Sequence, residues 1–176
     1  MRHQKLLILP ALFLSACAGT SIDARPVTDF EVDKYLGTWY EIARIDNSFE
    51  RGLNSVTATY SKREDNGIKV VNRGCNVAKS KWKQATGKAY FTEDDSIGKL
   101  KVSFFGPFYG DYIIFDLDMP GYDHAYVSGG STKYLWMLSR TPNISETRKA
   151  DFIQKSTALG YDTDTLIWVE HGERCE

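Results

Sequence analysis

The chain has 176 residues, 42% of them hydrophobic and 26% charged, with a formal net charge of −1. That length suits one domain with a sizeable core. A near-neutral balance offers no excess of Lys and Arg for phosphates, which argues against a nucleic-acid partner.

Residues 1–16 place Arg2 and Lys5 ahead of the apolar run Leu6 to Leu14. The run is too short to span a bilayer and has the layout of a secretory signal. Leu14-Ser15-Ala16-Cys17 then resembles the lipobox of bacterial lipoproteins. The resemblance implies cleavage before Cys17 and acylation of that cysteine, palmitate included, which exceeds the two signals needed for a stable membrane anchor. An ordinary signal peptide with a chance cysteine is the alternative. Ala18, by similarity to Gram-negative lipoproteins, implies sorting to the outer membrane, with the periplasmic face expected. Ala18 to Pro26 lacks periodicity and reads as a tether, so the expected organisation is a leader over 1–16, an acylated N-terminus and tether over 17–28, and one domain over 29–176. Two cations leave with the leader, and 20 Lys and Arg then face 23 Asp and Glu, a net −3. Cys75 and Cys175 remain as an even pair in an oxidising compartment, so a disulfide is expected; two free thiols are the alternative.

From Thr38 onward the chain reads as strands. Thr38 to Ile45 is the first, and Ser55 to Ser61, which alternates β-branched or aromatic with small residues, is the second. Asn66-Gly67 then signals a hairpin before Ile68 to Asn72. Lys83 to Phe91, Leu100 to Phe105, Tyr112 to Leu117, His124 to Val127 and Lys133 to Ser139 continue the series to eight. The period then changes: Ser145 is a candidate N-cap, Phe152, Ile153, Ser156 and Leu159 share a helical face, and Gly160 is a plausible stop. A short strand over Thr165 to Val169 follows. Hairpin-length connections at regular spacing predict an all-β, eight-stranded antiparallel up-and-down barrel with one C-terminal helix and a ninth strand.

Gly37-Thr38-Trp39 matches the motif that opens lipocalin barrels, and Leu138-Ser139-Arg140-Thr141-Pro142 matches the arginine motif at the end of their eighth strand. The chain therefore resembles the lipocalins over about residues 30 to 170, and with the lipobox it is most similar to the bacterial outer-membrane members. Leu117-Asp118-Met119 departs from the family's threonine-aspartate-tyrosine, leaving a docking role for that loop unsupported. In such a barrel Trp39 and Arg140 meet at the closed end, where a guanidinium over an indole is worth roughly 0.5 to 2 kcal/mol. Gly37, Trp39 and Arg140 are thus architecture; an anion-binding Arg140 is the alternative.

Counting strands places the loops Asn47 to Gly52, Cys75 to Lys81, Gly106 to Gly110 and Ser128 to Ser131 at the open end. Phe105, Phe108 and Tyr109 give it an apolar rim that suits ligand, membrane or a second protomer, with Phe108 and Tyr109 as a homodimer contact. Strand alternation assigns Trp136 and Leu138 to the interior with Arg140. It adds Asn54, Val56, Ala58 and Tyr60; Val70, Asn72 and Gly74; Leu100, Val102 and Phe104; then Ala89, Phe91, Tyr112 and Ile114. Thr57, Thr59, Lys69, Arg73, Lys99, Lys101 and Ser103 suit solvent. Small inward residues, Ala58, Gly74 and Ala89, leave space for one small ligand; a fully packed barrel is the alternative.

No metal-ligand spacing involves His124 or His171, no serine sits in a nucleophile elbow, and no metal or cofactor is expected. Glu41 shares the parity of Trp39 and reads as a structural acceptor near the closed end. The family resemblance implies a lipid-binding protein that stores, moves or scavenges a fatty acid, lysophospholipid or similar amphiphile during envelope maintenance. An interaction module using the apolar rim, or a lipid-acting enzyme dependent on Glu41, are the rivals.

Overall fold

The computed structural model describes residues 20–172 and 175. Cys17 and the leader lie outside the described residues. A short helix α1 (Val32–Tyr35) precedes β1 (Gly37–Ile45), β2 (Leu53–Lys62), β3 (Ile68–Asn76), β4 (Lys81–Phe91), β5 (Lys99–Phe105), β6 (Phe108–Leu117), β7 (His124–Ser128) and β8 (Leu135–Ser139). Helix α2 (Glu146–Ala158) and β9 (Leu166–Trp168) complete the order.

Every adjacent pair from β1 to β8 is antiparallel, and β8 pairs with β1 to close the barrel. The expected eight-stranded up-and-down barrel is thus the fold. The hairpin at Asn66-Gly67 forms because Asn66 adopts φ 58° and Arg63 N donates to Gly67 O at 2.9 Å. Ser145 caps α2, its side chain accepting from Arg148 N at 3.2 Å, and Gly160 stops it at φ 93°. The β5–β6 turn is tighter than expected: Phe105 pairs with Phe108, so only Gly106 and Pro107 lie between the strands. β3 runs on to Asn76, whose side chain caps a 3-10 turn over Val77–Lys79.

β9 supplies the seam of the wall. β2 pairs with β1 only over Gly37 to Tyr40, and β9 pairs with Ala43 to Ile45. Since β8 occupies the other edge of β1 there, β9 sits on the edge that β2 leaves. Ser55 N donates to Glu170 O at 2.8 Å across the remaining gap. The Cys75–Cys175 disulfide, with Cα atoms 5.7 Å apart, fastens the tail to the end of β3.

Two apolar clusters follow from the strand alternation. The inner one gathers Phe30, Tyr35, Trp39, Tyr60, Val70, Leu100, Ile114 and Leu138. The outer one joins Ile42, Ala43, Ile113, Tyr126, Leu135 and Met137 on the wall to Phe152 of α2. From Thr20 onward, the expected tether is a strip along the wall. Ile22 and Ala24 belong to the outer cluster, Ile22 N donates to Gly130 O at 3.0 Å, and Val27 N donates to Ile114 O at 2.9 Å. The strip runs from the β7–β8 loop to the closed end, where Phe30 and α1 tuck under the barrel. Composition hid this, because a strip paired at scattered points needs no period.

Candidate functional site

The base of the barrel is built around Trp39. Its indole is fully buried, its Nε1 donates to Tyr35 O at 2.8 Å, and the Arg140 guanidinium lies 3.9 Å from its ring centroid. Arg140 also donates to Thr38 O at 2.9 Å, Lys34 O at 2.7 Å, Leu36 O at 3.0 Å and Tyr122 O at 3.3 Å. Three of these carbonyls belong to the end of α1 and the start of β1 and the fourth to the β6–β7 connection, so the guanidinium ties the closed end together rather than holding an anion. Gly37, at φ 95°, lets the chain turn beneath that guanidinium.

Above the base, three phenols meet. Tyr112 Oη lies 2.7 Å from Tyr35 Oη and 2.8 Å from Tyr60 Oη. Burial pushes all three well up from the ordinary phenol range, so they remain neutral hydrogen-bonding groups. Ala58, Val70, Ala89, Ile114 and Leu138 are buried in the same inner cluster, with Phe91, Val102, Phe104, Tyr112 and Trp136 packed against it. Asn72 is half-buried and its Oδ1 is buried without a protein partner. Val56 joins a small neighbouring cluster with Leu53 and Val169.

Two bulges change the expected lining. β2 shifts register between Asn54 and Thr57, with Ser55 at φ 49°. Asn54 therefore pairs opposite Cys75 and shares its face, while Leu53 joins Val56 facing Gly74. Asn54 is thereby removed from the lumen. Gly74 does not leave space either: a Cβ there would meet Val56 Cγ2 at 3.1 Å and Leu53 Cβ at 3.2 Å. Ser103, assigned to solvent, is buried beside a third register shift in β5.

The other bulge, between Glu41 and Ala43 of β1, turns Arg44 inward. Arg44 Nη1 donates to Glu41 Oε1 at 2.6 Å, with side-chain exposures of 2% and 5%. Its Nη2 donates to Glu50 O and Leu53 O, each at 3.1 Å. Glu50 is itself buried: its Oε2 accepts from Asn47 Nδ2 and from Trp136 Nε1, the latter at 3.0 Å. Glu41 is thus an acceptor, as expected, but its partner reaches the mouth rather than the base. Burial, with the Glu50 carboxylate beside it, raises Glu41 well above the usual carboxylate range, and Arg44 opposes the shift. The β1–β2 loop is consequently drawn into the mouth by a polar cluster that alternation could not reveal.

Aromatic rings line the rest of the mouth. Trp136 stacks on Tyr134 at 6.0 Å and 9°, and Tyr134 on Phe49 at 6.0 Å and 25°. Phe105 and Phe108, at the β5–β6 tip, are 76% and 78% exposed. Two surface hollows of about 570 and 330 Å³ lie elsewhere, outside the wall around Trp168 and Lys149. Among the described residues, no group of three or more His, Cys, Asp and Glu could hold a metal ion.

A family model described as a lipocalin-like domain matches residues 30–171. Such domains are binding proteins rather than enzymes. The chain is 52% identical over 164 residues to the outer membrane lipoprotein Blc of Vibrio cholerae, covering 93% of this chain and 96% of that relative. It is 49% identical over 163 residues to the outer membrane lipoprotein Blc of Escherichia coli K12, covering 91% and 92%. Among solved structures, insecticyanin from the tobacco hornworm superimposes with a TM-score of 0.70 over 90% of both chains at 21% identity, a likeness of fold.

Proposed function

We propose that this chain, which belongs to the lipocalin family, is an outer-membrane lipoprotein, anchored through Cys17, that holds a fatty acid, lysophospholipid or similar amphiphile in its barrel. One observation carries the reading: the apolar inner cluster lies below a polar cluster of Glu41, Arg44, Glu50 and the Trp136 indole N–H at the mouth. Such a gradient suits a molecule with an aliphatic end and a polar end, the tail entering toward Val70, Ala89 and Leu138. The lining would orient the ligand through Tyr60, Tyr112 and Asn72, whose polar atoms lie among apolar neighbours. The relatives named as outer membrane lipoproteins support the location, and the lipobox at Leu14 to Cys17 supplies the means. Storage, transport or scavenging of membrane lipids is the corresponding role.

Displacement of a fluorescent fatty acid tests this reading. Saturable binding is expected, with Trp136→Ala about tenfold weaker, the effect of losing roughly 1.4 kcal/mol of contact. Absence of saturable binding, together with no lipid co-purifying in native mass spectrometry, would count against it.

A further inference from the structure

We infer that the lumen is built for an acyl chain carrying a hydroxyl group partway along its length, bound between Tyr60 Oη and the Asn72 side-chain amide. The inference rests on the reading of the barrel as an amphiphile site and names the kind of chain it selects.

Three buried phenols leave one proton over. Tyr112 Oη lies 2.7 Å from Tyr35 Oη and 2.8 Å from Tyr60 Oη, and among the described residues these two contacts are the only hydrogen bonds that the three hydroxyls make. Each phenol brings one O–H, so two contacts use two protons and the third has no acceptor in the protein. Tyr35 and Tyr60 are 2% and 6% exposed, which keeps bulk water from meeting it.

Nearby, an acceptor has no donor. Asn72 Oδ1 is buried and makes no hydrogen bond. Asn72 stands opposite Ala58 on β2 and Ala85 on β4, while Tyr60 stands opposite Val70. Asn72 and Tyr60 are therefore diagonal neighbours on the inner face, about 7–8 Å apart at their backbones and within reach of one small group between their tips. The two alanines leave space beside the amide, and Ala85 is exposed although it faces inward. A plain hydrocarbon chain laid over this pair would leave a donor and an acceptor both unpaired, at a cost for each. A hydroxyl satisfies both, since it accepts through its oxygen and donates through its proton. The protons then run one way, from Tyr35 to Tyr112 to Tyr60 to the ligand hydroxyl to Asn72 Oδ1, each donor used once. Asn72 lies four residues from Asn76, the mouth end of β3, which is about 13 Å along the strand. With the polar head beside Glu50 and Trp136, the hydroxyl belongs well down the chain rather than next to the head.

The test uses the full chain in detergent micelles and displaces a fluorescent fatty acid with octadecanoic, 2-hydroxyoctadecanoic or 12-hydroxyoctadecanoic acid. The 12-hydroxy acid is expected to bind about tenfold more tightly than the plain acid, the factor for roughly 1.4 kcal/mol, and the 2-hydroxy acid, with its hydroxyl at the head, by less than about twofold. The readout is this ratio, because partition of the acids into micelles is common to all the proteins compared. Asn72→Leu and Tyr60→Phe should each remove most of the ratio, whereas Trp136→Ala at the mouth should weaken both acids and keep it. Binding of octadecanoic acid by a variant shows that it is folded. The same ratio in the parent, Asn72→Leu and Tyr60→Phe proteins, or an equal gain from the 2-hydroxy acid, would overturn the inference and leave the barrel an amphiphile site. No saturable displacement by any of the three acids would instead remove the reading on which it rests.

Discussion

Two arginines are drawn into this barrel, one at each end, and they are satisfied by different chemistry. Arg140 at the base is answered by four backbone carbonyls and an indole face. Arg44 toward the mouth faces the Glu41 carboxyl, which burial drives toward its neutral form. Carbonyls do not titrate, and their positions are fixed by the main chain. The base is therefore a permanent closure, whereas the mouth is held by a cluster whose charge depends on pH.

The largest effect that would test this contrast comes from Cys175→Ser. A bridge spanning 100 residues corresponds to about 4–5 kcal/mol in the chain-entropy model. The loss, read by chemical denaturation, should come with faster amide exchange near Cys75 and unchanged exchange around Trp39. Trp39→Ala should cost about 3–5 kcal/mol, as for large aromatics removed from cores, and should loosen the base first. If either variant loosened both ends equally, the ends would not be separable.

Glu41→Gln sharpens the contrast through pH. Because the folded-state pKa of Glu41 lies above its unfolded value, its protonation favours the fold. That contribution is complete below the ordinary carboxylate range and is lost as pH rises toward the raised value. Wild-type stability relative to the Gln variant should therefore fall between pH 5 and pH 8, whereas a change at Arg140 should show no such trend. Equal stability differences at both pH values would place Glu41 outside any titrating cluster. The smallest effect belongs to Phe108→Ser: a tip 78% exposed should change stability by less than about 0.5 kcal/mol.

The base was legible in the sequence because Trp39 and Arg140 each occupy a regular strand position, and alternation carried their facing to Leu138 and Trp136. Val70, Ala89 and Ile114 followed for the same reason. The mouth was less legible. Its bulges at Glu41/Ala43 and Asn54/Thr57 insert one residue each, which reverses the facing of what lies beyond. Hence Arg44 lies inside although alternation from Trp39 sends it out, and Asn54 lies outside although alternation from Tyr60 sends it in. Asn47 and Glu50 looked like ordinary loop residues, since only their three-dimensional neighbours draw them inward. Helix α1 also gave no signal: four residues without a side-chain cap are held by the base they cover.

The β9 seam bears on the order in which such a molecule can be completed. A chain delivered across a membrane from its N-terminus can pair β1 through β8 while its last residues are still in transit. The slot beside Ala43 to Ile45 stays open until Leu166 to Trp168 arrive, and the bolt at Cys175 can be thrown only after that. Closure of the side wall thus depends on the chain's last residues, and removal of some fifteen of them is expected to leave the Trp39–Arg140 base in place and open the wall at its flank.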